Sequence, residues 1–338
     1  MTFVLSLDAM GGDFAPHIVI EGAVKALAGG SGFSYLVFGD ERQILPLLSA
    51  YPQHRHAFHL VHTDEVITND MKTATAIRTL RKSSMRLSIE AVAKGDAGAV
   101  ISAGNTGAYM ALSKLLLKTF QGVDRPAIAT SIPTLTGRTI AMDLGANVEC
   151  SPRNLVQFAV MGHVFGGRLL GKKKPSVGLL NIGAEAMKGN GVVQEAAQIL
   201  GAMPHLNFYG FVEGDDITAG TTDIVVTDGF TGNVALKTLE GTAKLIRNML
   251  EESLRGSWRG KLGYLIAKPA FQKLKNRIDP RLYNGALFLG LQGIAVKSHG
   301  GTDAVGFANA ILVAASLAAD AASGQIAADL SHFLKEGT

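Results

Sequence analysis

Short apolar runs alternate along the chain with longer stretches of helical spacing. Phe3–Leu7 is a compact apolar run that stops at glycine-rich sequence, and it reads as a buried strand. Pro16 fits the first turn of a helix, and Ile18–Leu27 continues at helical spacing. Tyr35–Phe38 reads as a second strand, ending at Gly39-Asp40. The same rhythm predicts a helix over Ser84–Lys94, a strand over Ala97–Ser102, a turn over Ala103–Gly107 and a helix over Ala108–Thr119. It predicts further strands at Thr139–Met142, Val177–Leu180 and Asp223–Thr227, a helix over Val156–Phe165, and a long helix opening after Asp228. Ala310–Ala322 is apolar, short and Ala-rich, and reads as a buried core helix. Repeated strand–turn–helix units imply an α/β fold: a doubly wound, largely parallel sheet with helices on both faces. Residues 250–284 break the rhythm with helical spacing, basic charge and exposed-looking aromatics. They read as a helical protrusion from one α/β domain that takes in 1–338.

Composition narrows the picture. Of 338 residues, 47% are hydrophobic and 18% charged, which excludes a disordered chain. A single Cys excludes an intramolecular disulfide framework and a Cys-based zinc site, and fits a reducing cytoplasm. The opening MTFVLSLDAMGGD lacks the basic start of a signal peptide, and no window holds the roughly 18 uninterrupted apolar residues of a membrane span. Charge is uneven. Between Lys244 and Arg281 ten Lys/Arg face three Asp/Glu, so that segment is +7 while the rest of the chain is −3. A local basic block points to a local anionic partner, not to a nucleic-acid-binding surface.

Five turns share one chemistry: Asp8–Asp13, Ser102–Gly107, Asp143–Asn147, Asn181–Glu185 and Asp228–Asn233. Each follows a predicted strand, and in a parallel sheet such turns gather at one edge. Glycine lets backbone approach a ligand, and the N–H groups at the following helix start favour an anion. Gly11, Gly12, Ser102, Gly104, Thr106, Gly107, Asn147, Asn181, Gly183, Gly229, Thr231 and Gly232 are therefore the candidates for holding a small anion such as phosphate. No P-loop and no G-x-G-x-x-G fingerprint occurs, so no nucleotide cofactor is expected. His54, His56, His59 and His62 lack the helical pairing of a zinc site; they read as a solvated edge, with no metal expected. Cys150 reads as a small buried apolar residue, not a nucleophile.

These turns carry a resemblance. Asp8–Asp13 with Ala15-Pro16, Ile101–Ala108, Asp143–Asn147, and Val226–Val234 with Lys237-Thr-Leu-Glu-Gly241 resemble the bacterial phosphate acyltransferases, from Leu5 to about Ala319. The resemblance implies transfer of a long-chain fatty acyl group from an acyl carrier protein thioester to inorganic phosphate, for phospholipid synthesis. It implies a fold related to phosphotransacetylases and to isocitrate and isopropylmalate dehydrogenases. It also implies a homodimer, cytoplasmic and peripheral at the inner membrane face. Arg78, Arg81, Lys82 and Arg86, on one predicted helix, could meet the acidic carrier.

Phosphate is anionic near neutral pH, so it needs positioning more than deprotonation, and direct attack in a ternary complex is expected. Asn105, Lys188, Asn233 and His299 are the candidate catalytic residues. In the protrusion, Leu254, Trp258, Leu262, Leu265, Ile266 and Phe271 recur among Lys and Arg, a pattern suited to an anionic membrane surface. The alternatives are a short-chain phosphotransacetylase, a non-catalytic scaffold for membrane or carrier protein, and a decarboxylating dehydrogenase suggested by Ser298–Asp303.

Overall fold

A computed structural model describes residues 3–28 and 32–321. Its strands are β1 (Phe3–Asp8), β2 (Phe33–Gly39), β3 (Phe58–His62), β4 (Ala99–Ser102), β5 (Ala127–Pro133), β6 (Arg138–Met142), β7 (Val177–Leu180), β8 (Phe208–Val212), β9 (Ile224–Val226), β10 (Ala286–Leu289) and β11 (Ile294–Lys297). Its helices are α1 (His17–Leu27), α2 (Glu41–Ser49), α3 (Thr73–Thr79), α4 (Ser84–Ala93), α5 (Thr106–Leu117), α6 (Pro152–Leu170), α7 (Gly191–Gly201), α8 (Gly214–Ala219), α9 (Gly229–Arg255), α10 (Trp258–Ile278) and α11 (Ala304–Ala321).

The strands form one sheet in the order β3-β2-β1-β4-β11-β10-β5-β6-β9-β7-β8. Alternating side chains send Leu5, Leu7 and Val296 to one face, where α1 and α11 bury Val19, Ile20, Phe307 and Ile311. Val100 and Ala295 point to the other face, against Met85 and Ile89 of α4 and Tyr109 and Leu112 of α5. Both faces are covered, so the doubly wound, largely parallel architecture holds. Of the core helix expected over Ala310–Ala322, Ala310, Ile311 and Ala314 are buried; Ala322 lies outside the described residues.

Strand direction overturns one expectation. β10 runs antiparallel to both β11 and β5, and β5 antiparallel to β6. The two halves of the sheet therefore point in opposite directions. β1, β4 and β11 end at one edge; β6, β7 and β9 end at the other. The five glycine-rich turns do not share an edge. Those after β1 and β4 sit at the first, and those after β6, β7 and β9 at the second.

One helix joins the two edges. α9 opens at the second edge, where the Asp228 side chain accepts from Thr231 N at 2.8 Å. It climbs toward the first edge, so that Lys237 and Glu240 act electrostatically on His299. At 27 residues, α9 is about 40 Å long at 1.5 Å per residue. It therefore outruns the sheet, and α10 folds back along it to the first edge. Of the segment expected to protrude, 250–278 falls on this helical hairpin of α9 and α10, whereas 280–284 forms a 3-10 turn and loop packed on α11 and β5.

Candidate active site

Three loops meet at the first edge. Asp8 ends β1 buried, its carboxylate accepting from Ser102 Oγ and Ser84 Oγ, each at 2.6 Å. Burial raises the Asp8 carboxyl above its ordinary range, while the two hydroxyls pull against that rise. Gly11 lies so close to this carboxylate and to Gly104 N that a side chain there would overlap both. Gly12 contacts Ala103 and the Gly300 carbonyl, and Asp13 N donates to Gly300 O at 3.0 Å. The loop after β1, the loop after β4 and the loop 298–303 after β11 are thus one packed unit.

α5 starts inside that unit. Asn105 caps it, accepting from Ala108 N at 3.0 Å, while its amide donates to Asn69 O at 2.9 Å and Met71 O at 3.2 Å. Thr106 and Gly107 follow as exposed first-turn residues, whose N–H groups have no acceptor within the helix. Ser102 Oγ also accepts from Gly104 N at 3.0 Å. Asn284 braces the third loop, donating to Ser298 Oγ at 2.8 Å and accepting from His299 N at 2.9 Å.

His299 is exposed and its orientation is fixed. Gly301 N donates to its Nδ1 at 3.1 Å, so Nδ1 is unprotonated and Nε2 carries the hydrogen. Burial and then Lys237 lower its pKa, keeping the ring neutral near pH 7. Lys297, just before it, pairs with Ser102 across the sheet. Lys297 is not among the residues singled out from the sequence, where Ile294–Lys297 is too short a run to announce a strand. The available signal was its place between Ile294-Ala-Val296 and a glycine-rich turn.

The second edge is built more for packing. The buried Asp143 carboxylate accepts from Ile128 N, Ala146 N, Asn147 N and Asn147 Nδ2 at 2.7–3.0 Å. Asn147 is itself buried and donates to Pro126 O at 2.8 Å. Gly229 and Gly232 let the first turn of α9 sit on this turn; a Cβ at Gly232 would overlap the Asp143 carbonyl oxygen. Thr231 completes the Asp228 cap. Asn181 clips its own loop, donating to Gly183 O and Lys188 O at 3.2 and 3.1 Å. The Lys188 side chain is exposed and lies over Gly183. Burial, then Asp143 and Asp228, push the Cys150 thiol up to about 11, so it stays protonated near neutral pH.

The candidate catalytic residues are therefore divided. Asn105 and His299 share the first edge, and Lys188 sits at the second. Asn233 starts at the second edge beside Gly145, yet it lies four residues before Lys237 on one face of α9. The basic group also splits: Arg78 is on α3, Arg81 and Lys82 are in the following turn, and Arg86 on α4 pairs with Glu90 at 2.9 Å. The four histidines fall on a 3-10 turn and on the edge strand β3, and His62 Nδ1 accepts from Glu41 N.

The hairpin leaves much apolar surface uncovered. Trp258 is 69% exposed and Ile266 76%, with Leu262 and Leu265 also exposed. Leu254 and Phe271 are half-buried; Phe271 stacks on Tyr264 with ring centres 5.5 Å apart. Among the described residues no helix is long and apolar enough to cross a membrane.

A family described as "Fatty acid synthesis protein" matches residues 3–324. A phosphate acyltransferase of Rhodospirillum centenum is 57% identical over 316 residues, covering 93% of this chain and 89% of that protein. One of Paramagnetospirillum magneticum is 55% identical, covering 93% and 90%. In fold, the chain is similar to the EutD phosphotransacetylase of Staphylococcus aureus, with a TM-score of 0.60, 16% identity and 94% of each chain covered. A phosphotransacetylase of Streptococcus pyogenes gives a TM-score of 0.62 at 16% identity, again over 94% of each.

Proposed function

From the premise that the chain belongs to the phosphate acyltransferase family, and so is an enzyme that transfers acyl groups to phosphate in fatty acid and phospholipid synthesis, we propose that the reaction takes place at the first sheet edge, with a long-chain acyl thioester on acyl carrier protein as donor. One observation carries this reading: three glycine-rich loops pack together there, with the open first turn of α5 among them and Lys237 of α9 facing them.

Phosphate sits against the N–H groups of Thr106 and Gly107, where the helix dipole favours an anion. Asn105 fixes that turn. A bare phosphate oxygen attacks the thioester carbonyl without an acyl-enzyme. Neutral His299 donates Nε2–H to the developing oxyanion. Asn233 and Lys237 present a polar helix face to the departing carrier side, and Lys188 contributes charge from the second edge. No cofactor or metal enters the scheme.

Exposed Arg78, Arg81 and Lys82 support an acidic carrier as partner. Lys82 stands at the same edge, where its carbonyl accepts from Thr63 Oγ1 beyond the end of β3. The exposed apolar and basic hairpin supports a peripheral position on an anionic membrane at the cytoplasmic side, and pairing into a homodimer. Incubating the purified protein with palmitoyl-acyl carrier protein and phosphate, then trapping with hydroxylamine, tests the proposal. Phosphate-dependent hydroxamate with release of the carrier is the expected result. Product from acetyl-coenzyme A alone would replace it with short-chain chemistry.

A further inference from the structure

The departing thiol needs a proton, and no residue discussed so far supplies one. His299 is fixed as a neutral donor whose Nδ1 is already occupied by Gly301 N. Cys150 is at the other edge. Asp8 is taken up by Ser84 and Ser102. Lys297 remains.

Lys297 ends β11 beside Ser102, on the sheet face that carries α5 and α9. Its side chain is partly buried, and Nζ donates to the Ser298 carbonyl. Among the described residues no carboxylate holds it in an ion pair. The charged groups facing it are Asp8 from β1, Asp13 from the following loop and Lys237 from α9. His299 lies two residues on in the chain, Glu240 faces that ring, and Tyr109 beneath them gives its hydroxyl to the Val100 and Val296 carbonyls. The ammonium therefore stands at the junction of the three loops with one hydrogen bond, among the described residues, for its three N–H groups.

We propose that Lys297 is a catalytic residue of this acyl transfer, the general acid that protonates the leaving thiolate. The inference rests on the first-edge reading of the site. The steps balance as follows. A phosphate oxygen forms the C–O bond, and the carbonyl electron pair moves onto oxygen. That pair returns, the C–S bond breaks, and its electrons go to sulfur. Sulfur takes a proton from the Lys297 ammonium, leaving a neutral amine that regains a proton from water. Burial, with Lys237 adding to it and Asp8 and Asp13 opposing it, brings the Lys297 ammonium down to about 8, near the range of an alkyl thiol.

The test compares wild type, K297M and K297R with two palmitoyl donors, one on acyl carrier protein and one the thioester of thionitrobenzoate, whose aryl thiolate leaves without a proton. The readout is the ratio of wild-type to variant kcat for each donor, with folding checked by thermal melts. K297M is expected to lose about 100-fold or more with the carrier-protein donor, and only a few-fold with the aryl donor. In wild type kcat falls as pH rises through about 8, and K297R, whose guanidinium does not titrate there, lacks that fall. An equal loss with both donors, or no loss, overturns the assignment. Wild type that makes no acyl phosphate from either donor defeats the functional reading itself, a result distinct from failure of the lysine.

Discussion

At the scale of single residues, burial works against the charge at both Lys297 and Asp143, and the two differ in the partners that offset it. Lys297 titrates lower in the folded protein than in the unfolded chain, about 8 against 10.5. A base with a depressed folded pKa weakens folding while both states are charged, below about pH 8. The penalty is relieved as pH rises toward 10.5, where the unfolded chain binds more protons. K297M should therefore melt higher than wild type at pH 7, with the advantage shrinking between pH 8 and 10. A lysine retained only for structure would give a lower melting temperature on removal. Burial raises the Asp143 carboxyl in the same sense, but its hydrogen bonds oppose that rise. Its carboxylate collects four N–H donors, and D143A would leave them buried without an acceptor. The expected cost is about 3 kcal/mol or more, read as a fall in the urea midpoint. D143N, which keeps one acceptor oxygen, should lie between.

At the scale of elements, α9 depends on its first turn. Gly232 lies against the Asp143 carbonyl with no room for a Cβ, whereas Gly241 has open space around it and is exposed. G232A should destabilise by about 2 kcal/mol or more through backbone overlap. G241A should stabilise by about 0.5–1 kcal/mol, because an interior helical glycine gives way to a better helix former. Equal effects in chemical denaturation would contradict this assignment of roles. The same elements show what was legible beforehand. β1, β6, β7 and β9 announce themselves as apolar runs before glycine-rich turns, and α4 and α5 by helical spacing. β5 carries Thr130, Ser131 and Pro133 and does not look like an apolar strand. β10 and β11 are four residues each and follow a long basic segment. These three missed strands are the ones that reverse the sheet's direction. Without them the five turns look equivalent, and nothing in the sequence shows that Asn147, Gly229 and Gly232 also pack the start of α9 against the Asp143 turn. Lys297 stayed hidden for a related reason: its neighbours Asp8, Asp13 and Lys237 come from distant parts of the chain and meet only in the fold.

At the scale of the whole molecule, the hairpin leaves and rejoins the body at the same edge as the proposed site. Arg281, at its return, pairs with Asp279 at 2.6 Å and with Asp303 of the third loop at 3.0 Å. This ties the base of the hairpin to the loop that carries His299. A long-chain acyl phosphate is amphipathic, and on the proposed reading, with the arm on lipid, the site would release it near the bilayer. On that proposed reading Trp258, Leu262, Leu265 and Ile266 would supply apolar contact, and Arg259, Lys261 and Lys268 would add roughly 1 kcal/mol each against an anionic surface. Replacing both Leu262 and Ile266 with Glu removes apolar contact and places like charge against the lipid. The double variant should remain in the supernatant when wild type sediments with vesicles containing anionic lipid. Raised salt should weaken the wild-type binding, because screening acts on the basic side chains. Rates on soluble donor should change less than threefold, since neither side chain belongs to the first edge. If the variant instead binds vesicles normally but elutes at half the wild-type mass, the exposed face serves pairing between copies and the lipid assignment falls.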